Sequence, residues 1–230
     1  MLKFSVAFAS ALGAASFAFA DPGGVSGVSG PRVTRGDIAF ETRTSVFNGD
    51  ALDGDRAHRI QGAYAFTDFW RLNAIVRAAQ PDGEDIEARS LGFENVFEFT
   101  PSAQWPVQFG LLAEYKIGLN DSADEVEFKL LMERRSGPMV ARLNLNAGRE
   151  VGAGASDEWE HVYAARAMWT ASERWDFGGE AFGEPETGAH YIGPRAELSL
   201  GQVGLSAAYL LGYDDAAADG QFRLGLEFRP

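Results

Sequence analysis

The chain has 230 residues, 46% of them hydrophobic and 12% aromatic, with no cysteine and a formal net charge of −13. So apolar a composition excludes a disordered chain, and the lack of cysteine excludes disulfides, a thiol nucleophile and a Cys-ligated metal. The acidic balance argues against nucleic acid as a partner and against charge-driven binding to an anionic membrane surface.

Residues 1–20 have the form of a secretory signal peptide. Lys3 supplies the positive start, the apolar run Phe4 to Phe19 follows, and Ala18-Phe19-Ala20 is a small-x-small cleavage site. Residues 21–35 carry Gly23-Gly24-Val25-Ser26-Gly27-Val28-Ser29-Gly30 and read as a flexible periplasmic lead. Tucking into a lumen is the alternative, although the segment lacks the bulk of a plug. Beyond residue 20 no run approaches the roughly 18 apolar residues of a spanning helix.

Residues 36–230 alternate between apolar and polar positions in segments of about ten, the signature of strands with one dry and one wet face. Ile38 and Phe40 alternate with Glu41 and Arg43, then Ile60 and Tyr64 with Arg59 and Gln61. Trp70, Leu72 and Val76 oppose Arg71, Asn73 and Arg77, and Leu91, Phe93 and Phe97 oppose Glu94 and Glu98. Phe109, Leu111 and Tyr115 oppose Gln108, Glu114 and Lys116, and Phe128, Leu130 and Met132 oppose Glu127, Lys129, Glu133 and Arg135. Leu143 and Leu145 oppose Arg142 and Asn144, and Tyr163 and Trp169 oppose Glu160 and Arg166. Segments near 175–184, 188–200, 203–213 and 220–229 complete twelve.

A soluble sandwich gives the same alternation, so the connections decide. They alternate between short ones, such as Thr67-Asp68, Thr100 to Pro106, Ser136-Gly137-Pro138 and Gly201-Gln202, and long acidic ones. Outer-membrane barrels have short periplasmic turns and longer external loops. Trp70, Trp105, Trp169 and Trp175 fall at the short-turn ends and Tyr115, Trp159, Tyr191 and Tyr213 at the long-loop ends, as two interfacial girdles would. The predicted fold is all-β: a single transmembrane antiparallel up-and-down β-barrel of twelve strands. Pairing about Gly137-Pro138 sets Met132 against Leu143, Leu130 against Leu145 and Glu133 against Arg142; pairing about Gly201-Gln202 sets Leu198 against Leu205.

Strand parity assigns a channel wall of Arg71, Arg77, Glu94, Glu98, Glu114, Lys116, Glu127, Lys129, Glu133, Arg142, Arg166, Glu180, Arg195, Glu197 and Arg223. Its signs are matched, which suits ion pairs such as Glu114 with Lys129 and Lys116 with Glu127. A wall so balanced leaves any ion preference to the acidic outer loops, as weak cation selectivity. Those loops hold Asp50, Asp53 and Asp55; Asp82, Glu84 and Asp85; Asp121, Asp124 and Glu125; and Asp214, Asp215 and Asp219. None has calcium-loop spacing, so solvated or lipopolysaccharide-facing loops are expected. His58, His161 and His190 have no serine at i+2, no phosphate-cradling glycine pattern occurs, and no catalytic residue, metal or cofactor is expected.

Tyr64-Ala65-Phe66-Thr67-Asp68-Phe69-Trp70 resembles the strand–Thr-Asp–strand turn of proteobacterial outer-membrane barrels of the MetA-pathway phenol-degradation type. His190-Tyr191-Ile192-Gly193-Pro194-Arg195 resembles a strand start in the same group. The resemblance implies an outer-membrane barrel that moves small solutes, and it carries over no ligand residues. The last strand, ending Phe228-Arg229-Pro230, resembles the aromatic-ended signal of the barrel-assembly machinery without meeting its terminal-Phe rule. The sequence thus predicts a passive outer-membrane channel or transporter for small solutes, with lipid bilayer, lipopolysaccharide and assembly machinery as partners. The alternative is a structural or surface-interaction barrel with an ion-paired, closed lumen.

Overall fold

The computed structural model describes residues 24–49, 52–100, 105–120, 122–213 and 217–230. The signal-peptide stretch 1–20 lies outside them. Twelve strands follow in chain order: β1 (Ile38–Asn48), β2 (Arg56–Ala65), β3 (Trp70–Gln80), β4 (Glu87–Glu98), β5 (Gln108–Gly118), β6 (Asp124–Ser136), β7 (Met139–Val151), β8 (Glu160–Thr170), β9 (Trp175–Glu184), β10 (Ala189–Leu200), β11 (Val203–Gly212) and β12 (Gly220–Phe228). Each pairs antiparallel with its chain neighbour, and β1 closes on β12. Closure gives every strand two partners, so no edge is left to pair with another chain.

The predicted registers hold: Leu130 faces Leu145, Met132 faces Leu143, Glu133 faces Arg142, and Leu198 faces Leu205. At two tight hairpins Gly137 and Gly201 take φ of 57° and 66°, whereas Asn120 is the one non-glycine with positive φ among the described residues. A positive φ at only the first central residue is the II′ geometry, whose twist matches the flanking strands. Pro138 follows Gly137 without conflict, because that position needs negative φ.

Large apolar side chains from every strand point outward, including Phe40, Ile60, Phe93, Phe128, Leu145, Phe177, Leu205 and Leu224. A continuous apolar surface of this kind matches the lipid-facing band of a membrane barrel. At the short-turn end Phe66, Phe69, Phe99, Trp105, Trp169 and Trp175 are exposed, and Trp70 stacks on Phe66 at 4.7 Å. At the other end Tyr115, Trp159 and Tyr213 face outward, but Tyr191 does not. It points inward, and its hydroxyl accepts the Ala218 N–H at 2.8 Å. Tyr191 shares the parity of Arg195 on β10, so the pleat overrides the girdle expectation.

Two further expectations are corrected. The connections do not alternate strictly, since residues 99–107 join β4 to β5 while 185–188 suffice between β9 and β10. The reason is local: Phe99 N–H bonds Phe109 O at 3.0 Å and Thr100 Oγ1 accepts Phe109 N–H at 2.7 Å, so the hairpin stays paired beyond the strands. The larger correction concerns the lead. Residues 24–35 are not a periplasmic tether; they run inside the barrel, with Gly24 toward the long-loop end and Arg35 at the short-turn end. Arg35 N–H meets Asp68 Oδ1 (3.3 Å), Val33 N–H meets Glu98 Oε2 (2.8 Å), and Ser29 exchanges two bonds with the Asn144 amide (2.7 and 2.9 Å). Further up, Arg223 donates to Ser26 O, Arg43 to Val25 O (2.8 Å) and Ser45 Oγ to Gly24 O (2.8 Å).

The lead's glycines provide clearance rather than flexibility. A Cβ at Gly27 would lie 2.5 Å from Arg43 Nη1, and one at Gly30 would lie 3.0 Å from Arg142 Nε. Its valines provide anchorage. Val33 packs with Ala65, Val96, Leu112 and Leu131 at the short-turn end. Val28 packs with Phe47, Phe182, Tyr191 and Leu210 nearer the long loops.

Candidate functional site in the barrel lumen

Inward-facing charges gather around buried carboxylates. Glu133 on β6 has no exposed side-chain surface and is held at 2.7 Å by each of Arg32, Arg135 and Arg142. Glu180 on β9 is equally enclosed, by Arg166 (2.7 Å), Arg195 (3.1 Å) and Arg223 (3.3 Å). Glu197 takes a second contact from Arg195 (2.7 Å) and Arg166 (3.3 Å). Glu94 accepts from Arg59 (3.0 Å) and the Asn73 amide (2.8 Å), with Arg77 at 3.8 Å. Sharing each carboxylate among several guanidinium forks satisfies its lone pairs where water is scarce.

One expected pair is replaced. Glu114 is not bonded to Lys129 but to Arg77 at 2.7 Å, which reaches from β3 across β4 to β5. The path crosses Gly92, where a Cβ would sit 2.2 Å from Glu114 Oε1 and 2.7 Å from Arg77 Nη1. Lys129 instead bonds Glu127 (3.2 Å), and Lys116 bonds Glu127 (3.1 Å), the latter as expected. Lys116 also bonds Glu125 at 2.8 Å. Glu125 is therefore a buried lumen residue rather than part of a solvated loop, and its parity with Glu127 carries that signal.

Arg71 stands apart. It lines the lumen with no carboxylate within ion-pair distance among the described residues, and its one hydrogen bond runs to Arg32 O at 3.5 Å. Glu98, by contrast, is turned toward the Val33 amide of the lead.

Two of the lumen cavities border the lead. One, of about 490 Å³, opens at the short-turn end and is lined by lead residues Gly27 to Thr34 together with Arg71, Arg142, Arg166 and Arg195. The other, of about 500 Å³, lies toward the long loops and is lined by Gly24, Val25 and Ser26 together with Phe47, Arg77, Arg89 and Lys116. Each has a different stretch of the lead as one of its walls.

Around the outer mouth, Asp55 Oδ1 caps the Asp82 N–H (2.8 Å), and Asp53 Oδ1 accepts the Gly49 N–H (3.0 Å). Asp50, Asp121, Asp214 and Asp215 lie outside the described residues. The histidines bond locally: His58 with Thr44 (3.0 Å), His190 with Tyr163 (3.1 Å) and His161 with Glu186 (2.6 Å). The His161 hydrogen bond holds the Glu186 carboxyl below the usual range.

Asn73 and Asn144, set on the polar face by alternation, point inward, and so do three residues the sequence reading missed, Ser45, Phe182 and Leu210, along with Arg32 of the lead. Parity places the strand residues among these; no strand pattern could have placed Arg32.

No protein-family model and no curated protein matches this sequence. Among solved structures, the NanC porin superposes with a TM-score of 0.61 at 9% identity, over 82% of this chain and 98% of that one. The KdgM porin gives 0.59 at 11% identity, over 83% and 98%. An outer-membrane channel from Pseudomonas putida F1 gives 0.60 at 9% identity, over 92% and 100%. At such low identity the likeness is one of fold: this chain has the closed twelve-stranded barrel shared with these outer-membrane porins and channels.

Proposed function

We propose that this protein is a passive outer-membrane channel for small solutes, exported by way of the signal peptide at residues 1–20. The observation that carries the reading is the pair of lumen cavities, of about 490 and 500 Å³, set toward opposite ends of one barrel and both bordered by the lead. A barrel that only scaffolded the membrane would gain from filling that volume with side chains. The fold supports the reading, since the superposing proteins are porins and channels. The MetA-pathway type remains the finer form of the proposal. In its support, Tyr64 to Trp70 spans the β2–β3 turn, where Thr67 Oγ1 accepts the Phe69 and Trp70 N–H groups at 3.2 and 3.0 Å. Lipid, lipopolysaccharide and the barrel-assembly machinery are the proposed partners, and no catalytic role is assigned.

Ion conductance in planar bilayers and sugar uptake by proteoliposomes test the reading. Discrete conductance steps are expected. The lead's occupation of the lumen favours a second reading, the closed structural barrel. Absence of conductance both in the mature chain and in a form lacking residues 24–34 would establish that one instead.

A further inference from the structure

Within the reading of the barrel as a solute path, we propose that the short-turn cavity contains a binding site for small oxyanions, carboxylate or phosphate, centred on Arg32, Arg71, Arg135 and Arg142. Nine arginines line the cavity against five carboxylates, so its wall is basic although the lumen as a whole is nearly balanced. Placement matters more than the count. Glu133, the carboxylate common to three of these arginines, has 0% side-chain exposure, while Arg32 and Arg135 keep 44% and 47% and Arg142 keeps 25%. The negative charge lies behind the guanidiniums, and a solute in the cavity meets the guanidiniums.

Arg71 adds a fourth cation with no carboxylate partner among the described residues, and its buried Nε has no acceptor. Three guanidiniums on the enclosed Glu133, with Arg71 beside Arg32, leave an excess of positive charge in a restricted volume, where charge is poorly screened. The planar forks match the two-oxygen edge of a carboxylate or phosphate, which can accept two parallel N–H bonds. The site faces the cavity on the lead's own path, so an anion bound there would contact both the wall and Arg32.

Titration calorimetry on the detergent-solubilised full mature barrel tests this, with sodium succinate and inorganic phosphate as probes and choline as the cationic control. Both anions are expected to bind and choline not to, and the tighter of the two identifies the oxyanion class. Affinity falls as salt rises, and Arg71→Gln or Arg135→Gln weakens binding about tenfold, the loss of one charge-assisted contact. Arg71→Lys, which keeps the charge but not the fork, recovers part of the loss. Heat-modifiable migration certifies each variant's fold, and should Arg71→Gln fail to fold, Arg135→Gln carries the test, since Glu133 would keep two partners. Failure of the wild type to bind either anion, or unchanged binding in both folded glutamine variants, overturns the site. Parallel bilayer recordings separate the two readings. Conductance without anion binding ends the site and leaves the channel; binding by the mature barrel, with no conductance either in it or in the form lacking residues 24–34, leaves the site and ends the channel.

Discussion

Glu180 and Arg135 show how unequally lumen charges contribute. Glu180 is enclosed by Arg166, Arg195 and Arg223 with no exposed side-chain surface. Among the described residues, Glu180→Gln leaves buried Arg223 without a carboxylate and Arg166 and Arg195 with Glu197 alone, and equilibrium urea unfolding in lipid should show a loss of about 3–5 kcal/mol. Arg135 is half exposed and shares Glu133 with two other arginines. Arg135→Ala should therefore cost about 0–1 kcal/mol in the same measurement. Gly92 is a third case, in which the absent side chain matters. A methyl group there would push apart Arg77 and Glu114, whose atoms lie 2.7 and 2.2 Å from the added carbon. Gly92→Ala is expected to destabilise by about 1–3 kcal/mol, the cost of leaving buried polar groups imperfectly paired. If Arg77→Met cancels that penalty, the pair is its cause; a penalty that persists points to backbone strain.

At the scale of elements, strands and lead obey different rules. Along β6 the pleat sends Leu130 to the lipid face and Lys129 to the lumen, where it meets Glu127. Leu130→Arg near the bilayer centre should cost about 2–4 kcal/mol in refolding titrations, and the penalty should fall for substitutions nearer either girdle. The lead has no pleat to guide it; it is held by two valines in apolar pockets and by hydrogen bonds between its backbone and wall side chains. Those bonds leave it separable from the wall, because the barrel closes through β1 and β12 without it. A chain lacking residues 24–34 should still show a heat-dependent gel shift and conduct more than the full mature chain in bilayers. Equal conductance would show that solute does not travel along the lead's path.

For the whole molecule, acidic loops surround the outer mouth while the charged lining of the lumen cavities at both ends is mostly cationic. Acidic residues such as Asp53, Asp82 and Asp85 lie in the β1–β2 and β3–β4 loops, and the arginine-rich cavity lies at the opposite end. A matched wall leaves selectivity to the loops and predicts weak cation preference; with Glu133 and Glu180 enclosed behind guanidiniums, the lining of the short-turn cavity is basic. Reversal potentials under a salt gradient should show weak anion preference, which Asp53→Asn with Asp82→Asn and Asp85→Asn strengthens. The loop effect should fade near 1 M salt, where the screening length is about 3 Å. Cation preference in the wild type would return selectivity to the loops.

Strand number, register and the division between lipid and lumen faces were legible in the sequence, because a period of two along each strand admits only two orientations and one of them exposes charge to lipid. The hairpin glycines at 137 and 201 and the pair Glu133–Arg142 follow from the same local rules. Three things required the closed barrel. The path of residues 24–35 depends on pockets assembled from β2, β4, β5 and β6 and from β1, β9, β10 and β11, which no local pattern brings together. The Arg77–Glu114 bridge crosses an intervening strand and exists only because position 92 carries no side chain. The basic cavity arises because counting charges by parity gives their number on the inner face but not their depth. Depth is set by which carboxylates the barrel's curvature crowds beneath neighbouring arginines.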